Sequence, residues 1–81
     1  MIILDSARKH GISDIDILSV VADPYVIAEL RDEPEKLLFL GFDSIARAVE
    51  VITDTGTSGQ VFIIHADLIT RKYEELLEEV I

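Results

Sequence analysis

The chain has 81 residues, with sixteen acidic side chains against seven basic ones, no cysteine and a net charge of -9 at neutral pH. This length has room for one hydrophobic core, so residues 1–81 are predicted to form a single domain. The lack of cysteine excludes disulfides, thiolate catalysis and cysteine-bound metal. Because nucleic-acid binders gain affinity by neutralising phosphates with Lys and Arg, the acidic surplus favours a solubilising role or a basic partner, unless the few bases share one face.

We expect no targeting or membrane signal in this chain. Met1 begins a short apolar run that Asp5 interrupts, and this run is too short for a signal peptide. No window approaches the roughly 18 apolar residues of a membrane span. We therefore expect a cytoplasmic protein that makes no membrane contact. A chain this short buries only about two-thirds of its unfolded surface, and a homodimer, which would add stability, is a further expectation.

Two short helices are predicted at the N-terminal end. The segment Asp5–His10 suits one or two helical turns, and Gly11 ends them because positive φ costs glycine nothing. Ser13 opens the second helix and forms an approximate capping box with Asp16. Asp23-Pro24 ends this helix, since proline pushes its predecessor out of the helical conformation.

Four runs rich in β-forming residues follow, separated by turn-forming segments. They are Tyr25–Leu30, Lys36–Leu40, Arg47–Thr53 and Val61–Ala66. The small, polar segment Thr55–Gly59 predicts a hairpin connection between the last two strands. In the last strand, the period of two places His65 on the same face as Val61 and Ile63.

The last helix is predicted to begin near Thr70, a good N-cap residue. Tyr73, Leu76, Leu77 and Val80 form its apolar stripe. Short connections between strands favour antiparallel neighbours. We therefore predict an α+β fold: a four-stranded antiparallel sheet with two N-terminal helices and one C-terminal helix. One face of the sheet would take the helices, and the other would meet solvent or a partner.

The densest polar cluster of the sequence follows the last strand. Its members are His65, Asp67, Thr70, Arg71, Lys72 and Tyr73. His65 is the strongest catalytic candidate, because an imidazole titrates near neutrality and can act as general acid or base. The alternative is a structural histidine that bonds a backbone carbonyl in the sheet.

Three further candidates lie at the start of the last predicted helix. Arg71 and Lys72 occupy its first turn, where the helix N-terminus already favours anions, so they suit a phosphate. The alternative is a pair of solvated charges that bridge to Glu74 and Glu75. Tyr73 is a catalytic candidate as well, although its place at the head of the apolar stripe favours the core.

A second basic cluster, Arg8 to His10, lies at the end of the first predicted helix. It reaches the C-terminal cluster if this helix packs across the sheet. Alternatively, these bases only complement the helix dipole. Arg47, on the third predicted strand, either projects toward a substrate or is a solvated charge. The sequence has no metal-ligand spacing and no phosphate-binding loop, so we expect neither metal nor cofactor.

Five short segments, in their order and spacing, resemble the BrnT-like toxins of bacterial toxin–antitoxin pairs. They are Lys9–Ser13, Asp23-Pro24, Leu38–Gly41, Ile63–Ala66 and Arg71–Leu77. The resemblance covers residues 7 to 77 and is greatest to a short actinobacterial branch. It implies a RelE-like fold and a ribonuclease that cuts RNA without metal and is silenced by a cognate antitoxin.

The resemblance also implies roles for individual residues. In such enzymes, basic and hydroxyl side chains deprotonate the 2′-hydroxyl, hold the scissile phosphate and protonate the leaving oxygen. The catalytic candidates are then His65, Arg71 and Tyr73. The substrate-binding candidates are Lys72, Arg47, Lys9 and His10.

One departure from the toxins motivates a second hypothesis. BrnT-like toxins tend to carry Ser-Ala-Arg-Lys where this chain has His65–Leu68, so Asp67 stands in place of a base. The same fold would then be a non-catalytic interaction module, which binds a second copy or another small protein through the exposed sheet face or an edge strand. Bases clustered on one face favour the enzyme, and scattered bases favour the module.

Overall fold

The computed structural model describes all 81 residues. Three helices are present: α1 (Asp5–Arg8), α2 (Asp14–Ala22) and α3 (Arg71–Glu78). Five strands are present: β1 (Ile2–Ile3), β2 (Val26–Arg31), β3 (Lys36–Phe42), β4 (Ala48–Thr55) and β5 (Val61–Leu68). The α+β class, with two helices before the main strands and one after them, is confirmed. None of the helices has the length and apolar character needed to cross a membrane.

The sheet is mixed, in the order β1-β5-β4-β3-β2. The four strands predicted from the sequence pair as antiparallel neighbours. The predicted count of four is wrong, because β1 adds a short parallel strand beside β5, with Ile2 opposite Phe62 and Ile3 opposite Ile63. Two residues carry no alternation that a sequence pattern can detect, and their partner lies sixty positions away.

The start of α2 follows its capping signal. The Ser13 hydroxyl accepts a hydrogen bond from the Asp16 amide at 3.2 Å, as the approximate capping box predicts. Gly11 adopts a φ of +80° between the two N-terminal helices, a conformation that suits glycine. Ile17 and Val20 then point from α2 into the core.

The helices cover both faces of the sheet. On the face under α1 and α2, nine buried apolar residues form one cluster: Ala7, Ile12, Ile17, Val20, Phe39, Val49, Val51, Ile63 and Ala66. On the opposite face, Leu38 and Leu40 pack with Tyr73 and Leu77 of α3. The expectation of one open sheet face is therefore wrong. Because β3 is apolar at successive positions, both of its faces must be covered.

A β-bulge in β5 reverses the expected direction of one side chain. Ile52 of β4 lies opposite His65, whereas the next residue, Thr53, lies opposite Ile63, so Ile64 is an extra residue. A bulge of this kind interrupts the period of two. The prediction that His65 shares a face with Ile63 is thus wrong, and the imidazole lies on the α3 side of the sheet.

Candidate functional site

A buried carboxylate in β4 organises the polar cluster. Glu50 is only 2% exposed, yet three polar groups lie within hydrogen-bond distance of its carboxylate. Oε1 accepts from the Thr70 amide at 2.7 Å and from the Thr70 hydroxyl at 2.8 Å. Oε2 lies 2.7 Å from Nε2 of His65. Burying an unpaired charge is costly, and these partners offset that cost.

Glu50 was not among the site residues predicted from the sequence. The available signal was an acidic residue within the otherwise apolar run from Ala48 to Ile52, where a buried charge requires a specific partner. The network also corrects the predicted role of Thr70. Thr70 precedes α3 with an extended backbone, but its hydroxyl bonds Glu50 and no helix amide. Glu50 therefore joins the start of α3 to the sheet.

The ring of His65 is held by one of its two nitrogens. Nε2 contacts Glu50, whereas Nδ1 has no partner in the chain, and the side chain is 27% exposed. The predicted alternative, a histidine that bonds a backbone carbonyl, is therefore wrong, because the partner of His65 is a carboxylate. A carboxylate that orients an imidazole leaves the other nitrogen in a defined direction, as in the triads of serine hydrolases.

His10 lies against His65. The two rings meet edge to face, with centroids 5.7 Å apart and planes at 73°. The chain reaches this position because α1 runs along β5, where the Ser6 hydroxyl donates to the carbonyl of the bulge residue Ile64 at 2.7 Å. Nδ1 of His10 lies 3.6 Å from Oδ2 of Asp67, and its side chain is 35% exposed.

The two imidazoles form what we call the histidine pair, His10 and His65, each facing its own carboxylate. In each ring one nitrogen faces an acid and the other has no protein partner. Such a pair can accept a proton at one ring and donate a proton at the other. The four side chains do not have the arrangement of a metal site.

Several basic side chains without an acidic partner adjoin His10 or Thr70 in the chain. Three of the seven bases, Arg8, Arg31 and Arg47, contact carboxylates. The other four, Lys9, Lys36, Arg71 and Lys72, have no carboxylate oxygen within 4.0 Å. Of these, Lys9 precedes His10, and Arg71 and Lys72 follow Thr70. The alternative in which Arg71 and Lys72 bridge to neighbouring glutamates is not observed.

Two predicted site residues have other positions. Tyr73 is 8% exposed and belongs to the core under α3, as its place in the apolar stripe favours. The Lys72 ammonium lies 5.3 Å from the centroid of the Tyr73 ring. Nε of Arg47 lies 2.7 Å from Oδ2 of Asp43, so the guanidinium is engaged in the β3–β4 turn.

Asp43 organises that turn. Its carboxylate accepts from the amides of Ile45 and Arg47 at 3.1 and 2.8 Å, and from the Arg47 guanidinium. Burial alone would raise the pKa of Asp43, but the hydrogen bonds from Arg47 and Ile45, with the charge of Arg47, hold this pKa below its usual value. Arg47 therefore stabilises a turn in which Ala46 adopts a φ of 62°.

Comparison of the chain with protein-family models, with curated proteins and with solved structures finds no match. The resemblance to BrnT-like toxins accordingly stays a prediction from short motifs. Two of those motifs, Lys9–Ser13 and Ile63–Ala66, supply the two rings of the histidine pair. A third, Arg71–Leu77, directly follows Thr70, which shares the Glu50 carboxylate with His65. Because a fold alone does not define an activity, the function has to be argued from this chemistry.

Proposed function

We propose that the chain is a toxin-like ribonuclease that acts without metal, with His10 and His65 as its acid and base. The observation that carries this proposal is the histidine pair, in which each ring faces a carboxylate and keeps one nitrogen free. One imidazole accepts the proton of the RNA 2′-hydroxyl while that oxygen attacks phosphorus. The other protonates the departing 5′-oxygen, so the products are a 2′,3′-cyclic phosphate and a 5′-hydroxyl.

The neighbouring groups have supporting roles. Glu50 orients the ring of His65 through a contact of 2.7 Å. Asp67 faces the ring of His10 at 3.6 Å, where its charge favours the protonated imidazole. Lys9, Arg71 and Lys72 are free to hold phosphate, and the N-terminus of α3 adds its dipole. His10, a binding candidate by sequence, becomes a catalytic one, whereas Tyr73 and Arg47 have structural roles.

The distribution of bases favours this function over the module. Three of the four cations without an acidic partner, Lys9, Arg71 and Lys72, adjoin the histidine pair or the start of α3, whereas Lys36 lies on β3, two strands from β5. A cognate antitoxin and a cytoplasmic location belong to the same proposal.

The decisive experiment incubates purified protein with RNA in the presence of EDTA and compares three variants. His65→Ala and His10→Ala are each expected to cut at least about 100-fold more slowly, because each removes one proton-transfer group. Lys36→Ala, the matched control, is expected to cut at the wild-type rate. Intact RNA with folded wild-type protein, or full activity in both histidine variants, contradicts the proposal.

A second function is favoured by a different observation. The outer side of β2 is unpaired. Tyr25, directly before the strand, and Ile27, within it, are both 57% exposed. On this alternative, the chain is a non-catalytic interaction module that binds a small protein or a second copy through that edge. Light scattering of the protein alone, and after co-expression with the product of a neighbouring gene, tests it. A monomer in both samples contradicts it.

A further inference from the structure

The two edges of the sheet differ. The outer side of β5 is occupied by β1. The Leu4 amide also donates a hydrogen bond to the Ile63 carbonyl, and the Ser6 hydroxyl donates one to the Ile64 carbonyl. The outer side of β2 has no such cover, since β2 pairs with β3 alone. An open edge presents unpaired amides and carbonyls to any extended chain. The β2 edge is therefore the place where this sheet can accept another strand.

The β2 edge is acidic as well as apolar. Five acids lie in or beside β2, and none of them contacts a base. Glu29 lies within the strand, and the segments before and after it contain Asp23, Asp32, Glu33 and Glu35. Arg31, the single base of β2, is engaged by the Asp54 carboxylate and by the carbonyl of Pro34. The edge therefore attracts positive charge and has little of its own.

We infer that the β2 edge binds an extended, basic segment of a partner protein as an additional antiparallel or parallel strand. Strand addition draws affinity from main-chain hydrogen bonds and specificity from alternate side chains. Ile27 and Glu29 lie two positions apart and share one face of β2. Alternate basic residues of the segment would therefore contact both, with their methylene chains on Ile27 and their charge beside Glu29. This inference rests on the second candidate function, partner binding, and does not depend on the histidine pair.

Charge argues against a second copy as the occupant. Two β2 strands side by side bring Glu29 of each copy to one seam and the four flanking acids of each copy to its ends. Like charges that approach each other across paired strands are destabilising. The register shift between Glu29 and Arg31 makes Leu30 an extra residue, which twists the end of the edge away from a flat partner. The segment thus pairs with Tyr25 to Glu29 only.

The first test uses a fluorescent peptide of sequence Lys-Val-Lys-Val-Lys-Val-Lys, with anisotropy as the measurement. A matched peptide has the same sequence and charge, with every interior amide N-methylated. The unmodified peptide is expected to bind at least about tenfold more tightly, because only it can donate main-chain hydrogen bonds. Equal affinity of the two peptides means that charge alone attracts them and overturns the inference, as does no binding of either peptide.

The second test locates the binding on the protein. Ile27→Arg is expected to weaken binding of the unmodified peptide at least about tenfold, since it removes apolar contact and adds a repelling charge. Ile15→Arg is the matched control, because Ile15 is an isoleucine 81% exposed on α2, and it should bind like the wild type. Equal weakening in both variants overturns the inference.

Two controls distinguish strand addition from misfolding of a variant and from self-association. Glu29→Lys repeats the test at an exposed position if Ile27→Arg does not fold by circular dichroism. Light scattering then reports the oligomeric state. If the wild type is a dimer and Ile27→Arg is a monomer, then a second copy covers β2. That result overturns the inference of a basic partner segment, whereas the interaction module of the second candidate function is retained. His10→Ala should bind the peptide normally.

Discussion

The two faces of the sheet are held to their helices in different ways. The face under α1 and α2 has nine buried apolar residues, whereas the face under α3 has four and also carries the buried Glu50. Apolar packing is non-directional and stabilises the fold. Hydrogen bonds to a buried carboxylate fix direction, because they have narrow geometry. The weaker apolar face is thus the one that positions His65 and the start of α3.

The largest expected effect tests the apolar face. Ile17 is a fully buried residue of α2. Ile17→Ala should therefore lower the free energy of unfolding by about 4 kcal/mol, because contacts are lost and a cavity is left. Leu77→Ala, in the smaller cluster under α3, should cost about 2 kcal/mol, because that cluster is closer to solvent and can collapse. Urea denaturation measures both. Equal costs would mean that the two faces contribute alike.

The next effect tests the polar network under α3. Glu50→Ala leaves the Thr70 amide, the Thr70 hydroxyl and the His65 ring without an acceptor, at a cost of about 3 kcal/mol. Because Glu50 joins α3 to the sheet, amide hydrogen exchange should accelerate in α3 and stay unchanged in α2. Equal acceleration in both helices would show that Glu50 supports the whole fold and has no local role at α3.

A smaller effect separates the hydroxyl of Thr70 from its amide. Thr70→Val keeps the shape of the side chain and the amide bond to Glu50 but removes one hydrogen bond, so it should cost about 1 kcal/mol. The double variant with Glu50→Ala should cost less than the sum of the two single changes, since both remove the same interaction. Additive costs in denaturation would contradict a shared network.

Local signals in the sequence predicted much of this fold. Ser13 and Gly11 bounded the first helices, and the glycine-containing segment Thr55–Gly59 predicted the β4–β5 hairpin, because caps and turns depend on adjacent residues. The side of the sheet taken by α3 was not predictable in this way. Apolar residues on both faces of β3 show that each face needs a cover. The period of two does not say which helix covers which face.

The candidate site was predictable only in part. His65 and His10 were candidates as titratable residues, but their contact depends on the bulge at Ile64 and on the position of α1 beside β5. Both are long-range features that alternation cannot give. The role of Glu50 depends on its burial, and the engagement of Arg47 depends on the Asp43 carboxylate. Residue type therefore indicated the chemistry, and tertiary packing selected the partners.

The smallest effect concerns polar contacts beside α2 and depends on pH. The Asp16 carboxylate of α2 accepts a hydrogen bond from the Ser44 amide at 3.1 Å. The β3–β4 turn that Asp43 stabilises therefore lies beside the face covered by α1 and α2. The pKa of Asp43 is lowered in the folded chain, because its hydrogen bonds and the charge of Arg47 outweigh its burial. Its contribution to stability is therefore complete above the unfolded aspartate pKa of about 3.9 and is lost as the pH falls through the folded value.

In Asp43→Asn, the loss of unfolding free energy between about pH 4 and pH 2 should be smaller than in the wild type, because the group that titrates is absent. Urea denaturation across this range measures the difference. Asp23→Asn is the matched control, since Asp23 has no basic partner, and it should follow the wild-type profile. If Asp43→Asn follows it too, then the carboxylate charge does not stabilise this turn, and the buried Glu50 is left as the carboxylate whose hydrogen bonds join a helix to the sheet.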